Sequence, residues 1–186
     1  LTYKNILSAI RTGVGLKGTI ETPPEYGKYH FDGHRNCDVQ RTPEETRKLG
    51  KQCPKCKQEL TIGVEYRIEE LAKEKKSYKP SNAKKVIEVI PLQEAIASVL
   101  DAKQLNSKKV LEIYNKLINE FKTEFNVLLN VSYIDLIKII HEKIAKVILM
   151  NRNGELKIKP GFDGVYGQII LNKEEKLKEQ KSLGEF

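Results

Sequence analysis

The sequence predicts an α+β fold in two parts: a small region of short strands and short helices that carries every cysteine, followed by a mainly helical region that ends in a β-hairpin. Three observations predict it. Cys37, Cys53 and Cys56 lie in one stretch punctuated by glycine and proline, with no long apolar period. From Leu92 onward, apolar residues recur at the 3.6-residue period of amphipathic helices. Two short apolar runs, 156–158 and 165–171, then flank the turn Pro160-Gly161-Phe162-Asp163-Gly164.

The elements follow in order. Residues 3–11 place Ile6, Leu7 and Ile10 on one helical face, with Gly13 and Gly15 as the stop. Residues 16–22 read as a strand closed by Pro23-Pro24, and 28–31 as a second short strand. Thr42, Pro43 and Glu45 make a capping box with proline at the first helical position, and Gly50 ends that helix. Residues 60–62 suit a strand, and 64–73 a helix with Val64, Ile68 and Leu71 turned inward. Residues 73–85 are basic, hold Pro80 and show no apolar period, so they read as a break. Leu92, Ile96 and Val99 mark the next helix. Val110, Ile113, Tyr114, Leu117, Ile118 and Phe121 define a clear one over 107–121. Ser132 caps a third, expected to run unbroken to Asn153-Gly154.

Bulk properties bound the function. The chain has 186 residues, 39% of them hydrophobic, enough for one domain or two small ones. No apolar run is long enough to span a bilayer, and the start lacks the pattern of a signal peptide, so a cytoplasmic protein without membrane contact is expected. A net charge of +8, from 33 basic and 25 acidic residues, favours an anionic partner, nucleic acid first. The competing explanation is a lysine-rich solvated surface.

The cysteines carry the sharpest signal. Three of them, an odd number in a chain expected to be cytosolic, argue against a disulfide framework. His34-x2-Cys37, then fifteen residues, then Cys53-Pro54-Lys55-Cys56 matches the spacing of a structural zinc site of the knuckle or ribbon kind. A two-residue gap lets one tight turn offer two ligands, and two such turns complete a tetrahedron. Thiolate and imidazole donors suit Zn2+ over Mg2+ or Ca2+. Three thiolates leave the centre at about −1, and four protein ligands close it to substrate. His30 and Asp32 rival His34 as the fourth ligand, but only His34 has the paired spacing. A redox pair Cys53/Cys56 is the competing reading, and it lacks the βαβ context.

Elsewhere no independent active site assembles. His141 opens a zincin-like run, but Ala145 stands where a second histidine is required. There is neither a Walker loop nor a nucleophile elbow. Asp163, in its glycine-rich turn, reads as a turn former rather than a catalytic base.

Two segments carry a family resemblance. Gly27-Lys-Tyr-His-Phe-Asp-Gly-His-Arg-Asn-Cys37 with Cys53-Pro-Lys-Cys56 and Leu60-Thr-Ile-Gly-Val-Glu-Tyr-Arg-Ile-Glu-Glu-Leu-Ala72 resembles endonuclease Q and its relatives, and Pro160-Gly-Phe-Asp-Gly-Val-Tyr-Gly-Gln-Ile169 resembles their closing motif. The resemblance implies a DNA repair endonuclease (a hydrolase) that cuts beside deaminated bases and abasic sites. In that family an N-terminal metal-dependent phosphoesterase domain of the PHP type holds the catalytic metals. By this resemblance 1–22 is the trailing edge of a PHP-type domain, 23–74 a zinc-binding domain, 75–85 a linker, 86–172 a helical C-terminal domain and 173–186 a charged tail. This chain would then lack the catalytic PHP core, which acts in cis or in trans: its three histidines cannot furnish both that cluster and the zinc site. Lys28, Arg35, Arg41, Lys55 and Lys57 are candidates for DNA phosphate contact. Tyr29, Phe31, Phe162 and Tyr166 are candidates to line a pocket for an unstacked base. The alternative is a free-standing, non-enzymatic zinc protein that binds nucleic acid or a protein partner.

Overall fold

The computed structural model describes residues 2–73, 80–81, 83–172 and 174–177. Most of the expected linker and most of the charged tail lie outside these residues.

The chain opens with α1 (Tyr3–Thr12), capped by the Thr2 side chain and stopped by Gly13 at φ 72°. None of its residues is buried, and Ile10 is 70% exposed. β1 (Gly18–Glu21) follows, shorter than expected, and then a 3-10 turn at Pro24–Tyr26. The expected strand over 28–31 lies further along. Only Phe31 bridges, and β2 (Asp32–His34) continues from it into antiparallel pairing with β3 (Val39–Arg41). α2 (Pro43–Leu49) has the full capping box between Thr42 and Glu45 and ends at Gly50. Residues 60–62 contribute a single bridge, Gly33 to Thr61, rather than a strand.

α3 (Val64–Leu71) forms where expected but turns the other way. Val64, Ile68 and Leu71 are 54%, 52% and 60% exposed, while Tyr66 is buried. Tyr66 decides the orientation because two cations pack on its ring: Lys51 Nζ at 4.8 Å and the Arg47 guanidinium at 5.5 Å from the centroid. Arg47 also pairs with Glu69 of α3, so the polar face is the one held against α2.

Where the sequence suggests the end of a break leading into a helix, the chain forms a strand, β4 (Lys85–Glu88), parallel to β1 with Gly18 opposite Lys85. Ile87 of β4 packs on the main core. That core is built by α4 (Leu92–Leu100), α5 (Lys108–Phe121), α6 (Glu124–Leu129), α7 (Tyr133–Ile139) and α8 (Glu142–Asn153). Leu92, Ile96, Leu117, Leu136 and Ile148 are fully enclosed there. α6 is not among the expected helices. It is capped by Thr123, and the Arg152 guanidinium donates to the carbonyls of Val127, Leu128 and Val131 at its far end. The single helix expected from Ser132 to Asn153 is two: Ile140 is extended at φ −132°, and His141 Nδ1 accepts from the Lys143 N–H to start α8 afresh. Asn151 is buried and exchanges both hydrogen bonds with the Ile90 backbone, at 2.9 and 2.8 Å.

β5 (Lys157–Lys159) and β6 (Gln168–Ile170) form the expected antiparallel hairpin. Its connection is not a free turn. It lies against the cysteine-bearing region, where Phe31 and Phe162 form a bridge. No helix among the described residues is long and apolar enough to cross a membrane.

Candidate metal centre and its surroundings

Two turns build the centre. β2 delivers His34 to a 3-10 turn at Arg35–Cys37, and Asp38, left-handed at φ 48°, reverses the chain into β3. The second turn springs from the bridge between Gln52 and Glu59. Within it the Cys53 N–H donates to the Gln58 carbonyl (2.8 Å) and the Lys57 N–H to the Cys53 carbonyl (2.9 Å), with Lys57 at φ 66°. The donor atoms of His34, Cys37, Cys53 and Cys56 all come within 4.8 Å of one another. The Nδ1 edge of His34 is turned to the thiols, 3.3 Å from Cys56 Sγ. Cys53 is fully buried, whereas Cys56 is exposed.

The rivals for the fourth position are engaged elsewhere. The His30 ring packs on Phe31, 4.7 Å between centroids, and the buried Asp32 carboxylate accepts the Gly63 N–H at 2.6 Å. Neither joins the cluster.

The donor set fits a tetrahedral, thiophilic cation. Metal–sulfur bonds of about 2.3 Å place ligand sulfurs roughly 3.8 Å apart, so this cluster needs only a slight contraction. Its protonation is divided. Burial raises the Cys53 thiol, but backbone N–H groups of Cys56 and Lys55 and the His34 side chain outweigh it and bring Cys53 down to about 6. Hydrogen bonding to Cys56, then burial, then Cys53 pushes Cys37 up to about 11. Crowded thiols hold on to protons that a divalent cation would displace. Two lysines near the thiols are engaged with other groups: Lys55 Nζ donates to the Cys37 carbonyl at 2.7 Å, and Lys51 sits over Tyr66.

The candidate DNA contacts fall into two groups. Lys28, Tyr29, Arg35 and Tyr166 gather around the hairpin connection. Lys28 Nζ stands 4.8 Å over the Tyr166 ring, and the Arg35 guanidinium and Tyr29 hydroxyl both lie over Gly164. Tyr29 is 50% and Tyr166 58% exposed. The second group is dispersed. Arg41 Nη1 donates to the carbonyls of Gly50 (2.8 Å) and Gln52 (3.3 Å), Lys55 is turned to Cys37, and Lys57 is exposed on the second turn. Of the other aromatic candidates, Phe162 is buried against Gly33, where a Cβ would collide with its ring, and Phe31 is half-buried.

One residue that the sequence marks only as a turn former proves central. Asp163 Oδ2 accepts the Arg35 N–H at 2.7 Å, and Oδ1 accepts the Thr61 hydroxyl at 2.6 Å. Burial raises its carboxyl, but the Thr61 hydroxyl and Arg35 N–H outweigh that and hold it below the usual carboxylate range.

Comparison with known proteins places this arrangement. A crystal structure of the lesion-specific endonuclease PfuEndoQ from Pyrococcus furiosus superposes with a TM-score of 0.79 at 35% identity, over 96% of this chain and 44% of that one. The chain is similar to endonuclease Q over nearly its whole length. A crystal structure of endonuclease Q in complex with a 27-mer duplex substrate bearing an abasic lesion at the active site gives a TM-score of 0.82 at 33% identity, over 98% of this chain and 46% of that one. The chain thus spans less than half the length of these endonuclease Q chains. The family model described as the MJ0043 C-terminal domain matches residues 91–155. The uncharacterized protein MJ0043 of Methanocaldococcus jannaschii is 34% identical over 146 residues, 78% of this chain and 18% of that protein.

Proposed function

We propose that this chain is the zinc-centred and helical portion of an endonuclease-Q-like DNA repair nuclease. In this reading it binds DNA and helps recognise deaminated bases, while strand hydrolysis belongs to a PHP-type domain supplied in cis or in trans. The observation that carries it is the likeness to endonuclease Q over 96–98% of the chain at 33–35% identity. The zinc assignment is supported by three thiols and an imidazole within 4.8 Å of one another, a donor set that favours Zn2+ among abundant cations. With all four ligands from protein, the metal holds structure and takes no part in hydrolysis. Residues 23–74 form the zinc domain in this assignment, 86–172 the helical domain and 1–22 the trailing edge of the PHP-type domain.

The DNA surface is assigned to Lys28, Arg35, Tyr29 and Tyr166. Two cations and two exposed phenol rings on one patch match what phosphate contact and base stacking require. Fluorescence anisotropy with a duplex carrying deoxyinosine or an abasic site, titrated against salt, tests this. Affinity should fall steeply with salt, and K28A/R35A should lower the log–log slope by about 2. A flat salt response, or a double variant indistinguishable from wild type, would refute the assignment. Cleavage of the lesion-bearing strand by this chain alone would overturn the placement of catalysis elsewhere.

A further inference from the structure

We infer that Asp163 is a positioning residue for the metal centre, holding from the C-terminal hairpin the backbone that carries His34. The inference rests on the metal reading above and deepens it.

His34 has a backbone neighbour on each side, and Asp163 constrains both. On one side the Arg35 N–H donates directly to Asp163 Oδ2 at 2.7 Å. On the other, Gly33 exchanges two backbone hydrogen bonds with Thr61, at 2.9 and 2.8 Å, and the Thr61 hydroxyl donates to Asp163 Oδ1 at 2.6 Å. One carboxylate therefore spans the two segments that bracket the ligand. Arg35 also begins the turn that ends in Cys37, its carbonyl accepting the Asp38 N–H at 3.0 Å, so anchoring Arg35 fixes the whole His34-x2-Cys37 turn.

The hairpin connection is shaped to bring Asp163 there. Phe162 and Val165 exchange backbone hydrogen bonds at 3.0 and 2.8 Å, which closes a tight turn with Asp163 at φ 42° and Gly164 at φ 85°. Aspartate tolerates the left-handed region better than most residues, and glycine suits it best. Four further backbone bonds lash the turn to the segment before His34: Gly161 to Glu25, Phe31 to Gly161, Gly164 to Lys28 and Gly167 to Tyr26, at 2.9 to 3.0 Å. Gln40 Nε2 adds a bond to the Pro160 carbonyl at 2.8 Å. The carboxylate is thus pre-placed by a rigid frame, which is what a positioning role requires. Outer partners of ligand-bearing groups commonly set metal affinity by a factor of about 10 to 100.

The test measures Zn2+ affinity of the full chain by competition with a chromophoric chelator, together with the Co2+ absorption spectrum. D163N keeps one acceptor oxygen but turns an amide N–H toward a donor. It should weaken Zn2+ binding about tenfold or more. The Co2+ spectrum should keep its thiolate charge-transfer intensity and shift in the d–d bands that report the histidine. T61V removes one arm only and should lose less affinity, and D163N/T61V should be no worse than D163N alone. L117A, a destabilising change in the distant helical core, controls for general loss of stability and should leave affinity unchanged. Wild-type binding with D163N within twofold of it, or an equal loss in L117A, overturns the inference alone. If D163N does not fold, T61V decides by the same criterion. A wild-type chain that takes up no Zn2+ overturns the metal reading and the inference with it.

Discussion

If the proposed zinc is bound, stripping it should unfold one region of this chain and spare another. The apolar cluster around the centre consists of Val39, Leu60 and Cys53, with Cys37 packed against them. Burying Val39 and Leu60 contributes about 1.5–3 kcal/mol each, roughly 3–6 kcal/mol together. A structural zinc site contributes about 10–16 kcal/mol of apparent binding energy at neutral pH. If zinc is bound as proposed, it contributes more than the apolar cluster does, and its loss should loosen the β2–β3 region. The helical region keeps its own core, with Leu92, Ile96, Val99, Leu117, Leu136 and Ile148 fully enclosed. Hydrogen exchange read by mass spectrometry, before and after zinc removal by a strong chelator, makes the comparison on one sample. Protection should vanish over 32–41 and 52–61, weaken over 160–167 and persist in α4, α5 and α8. Elemental analysis must verify the metal-free state. Unchanged protection at 32–41 and 52–61 in verified metal-free protein would refute the reasoning. Simultaneous loss in the helices would instead show that the two cores do not stand apart.

Two further outcomes follow from the packing. Leu117→Ala removes a fully buried side chain from the helical core and should cost about 2–5 kcal/mol in urea unfolding; a cost below about 1 kcal/mol would mean that the cavity collapses freely. Thr42→Ala should cost about 1 kcal/mol by removing the α2 cap. The cost should depend on pH, because the Thr42 backbone N–H and then its hydroxyl hold the Glu45 carboxyl below its ordinary value. A depressed carboxyl stabilises above its unfolded value and loses that contribution as pH falls through its folded one. Thermal melts of wild type and variant should therefore draw closer in acid without meeting. Only the bond from the Thr42 hydroxyl to the carboxylate is both lost in the variant and sensitive to pH, while the Glu45 N–H donates to that hydroxyl at any pH. A gap that stays constant would count against the hydroxyl–carboxylate half of the capping box.

What can be read in the sequence divides by the range of the interaction. The α2 box is legible because Thr42 and Glu45 satisfy each other three residues apart, with Pro43 opening the helix and Gly50 closing it. The gathering of His34, Cys37, Cys53 and Cys56 is legible because each pair occupies one turn, and a turn is local. α3 shows the limit. The period of Val64, Ile68 and Leu71 reveals an apolar face but says nothing about what covers it, and cation contacts from Lys51 and Arg47 bring Tyr66 inward instead. The break at Ile140 is hidden because the apolar pattern runs through it and histidine is not among the favoured N-caps. β4 is hidden because its partner, β1, lies far back in the chain, with Gly18 opposite Lys85.

Asp163 is the extreme case. In sequence it stands 128 residues from Arg35 and 102 from Thr61, and its own neighbourhood, Gly161-Phe162-Asp163-Gly164, explains it fully as a turn. It is both a turn former and an anchor, and the anchor depends on the turn. Only a turn with Asp163 and Gly164 left-handed presents the carboxylate to the segments flanking His34. A ligand set read by spacing names the atoms that meet the metal, but affinity depends on how firmly the backbone behind them is held. In this fold that backbone is held in part from the far end of the chain, so the metal centre and the closing hairpin should gain and lose order together.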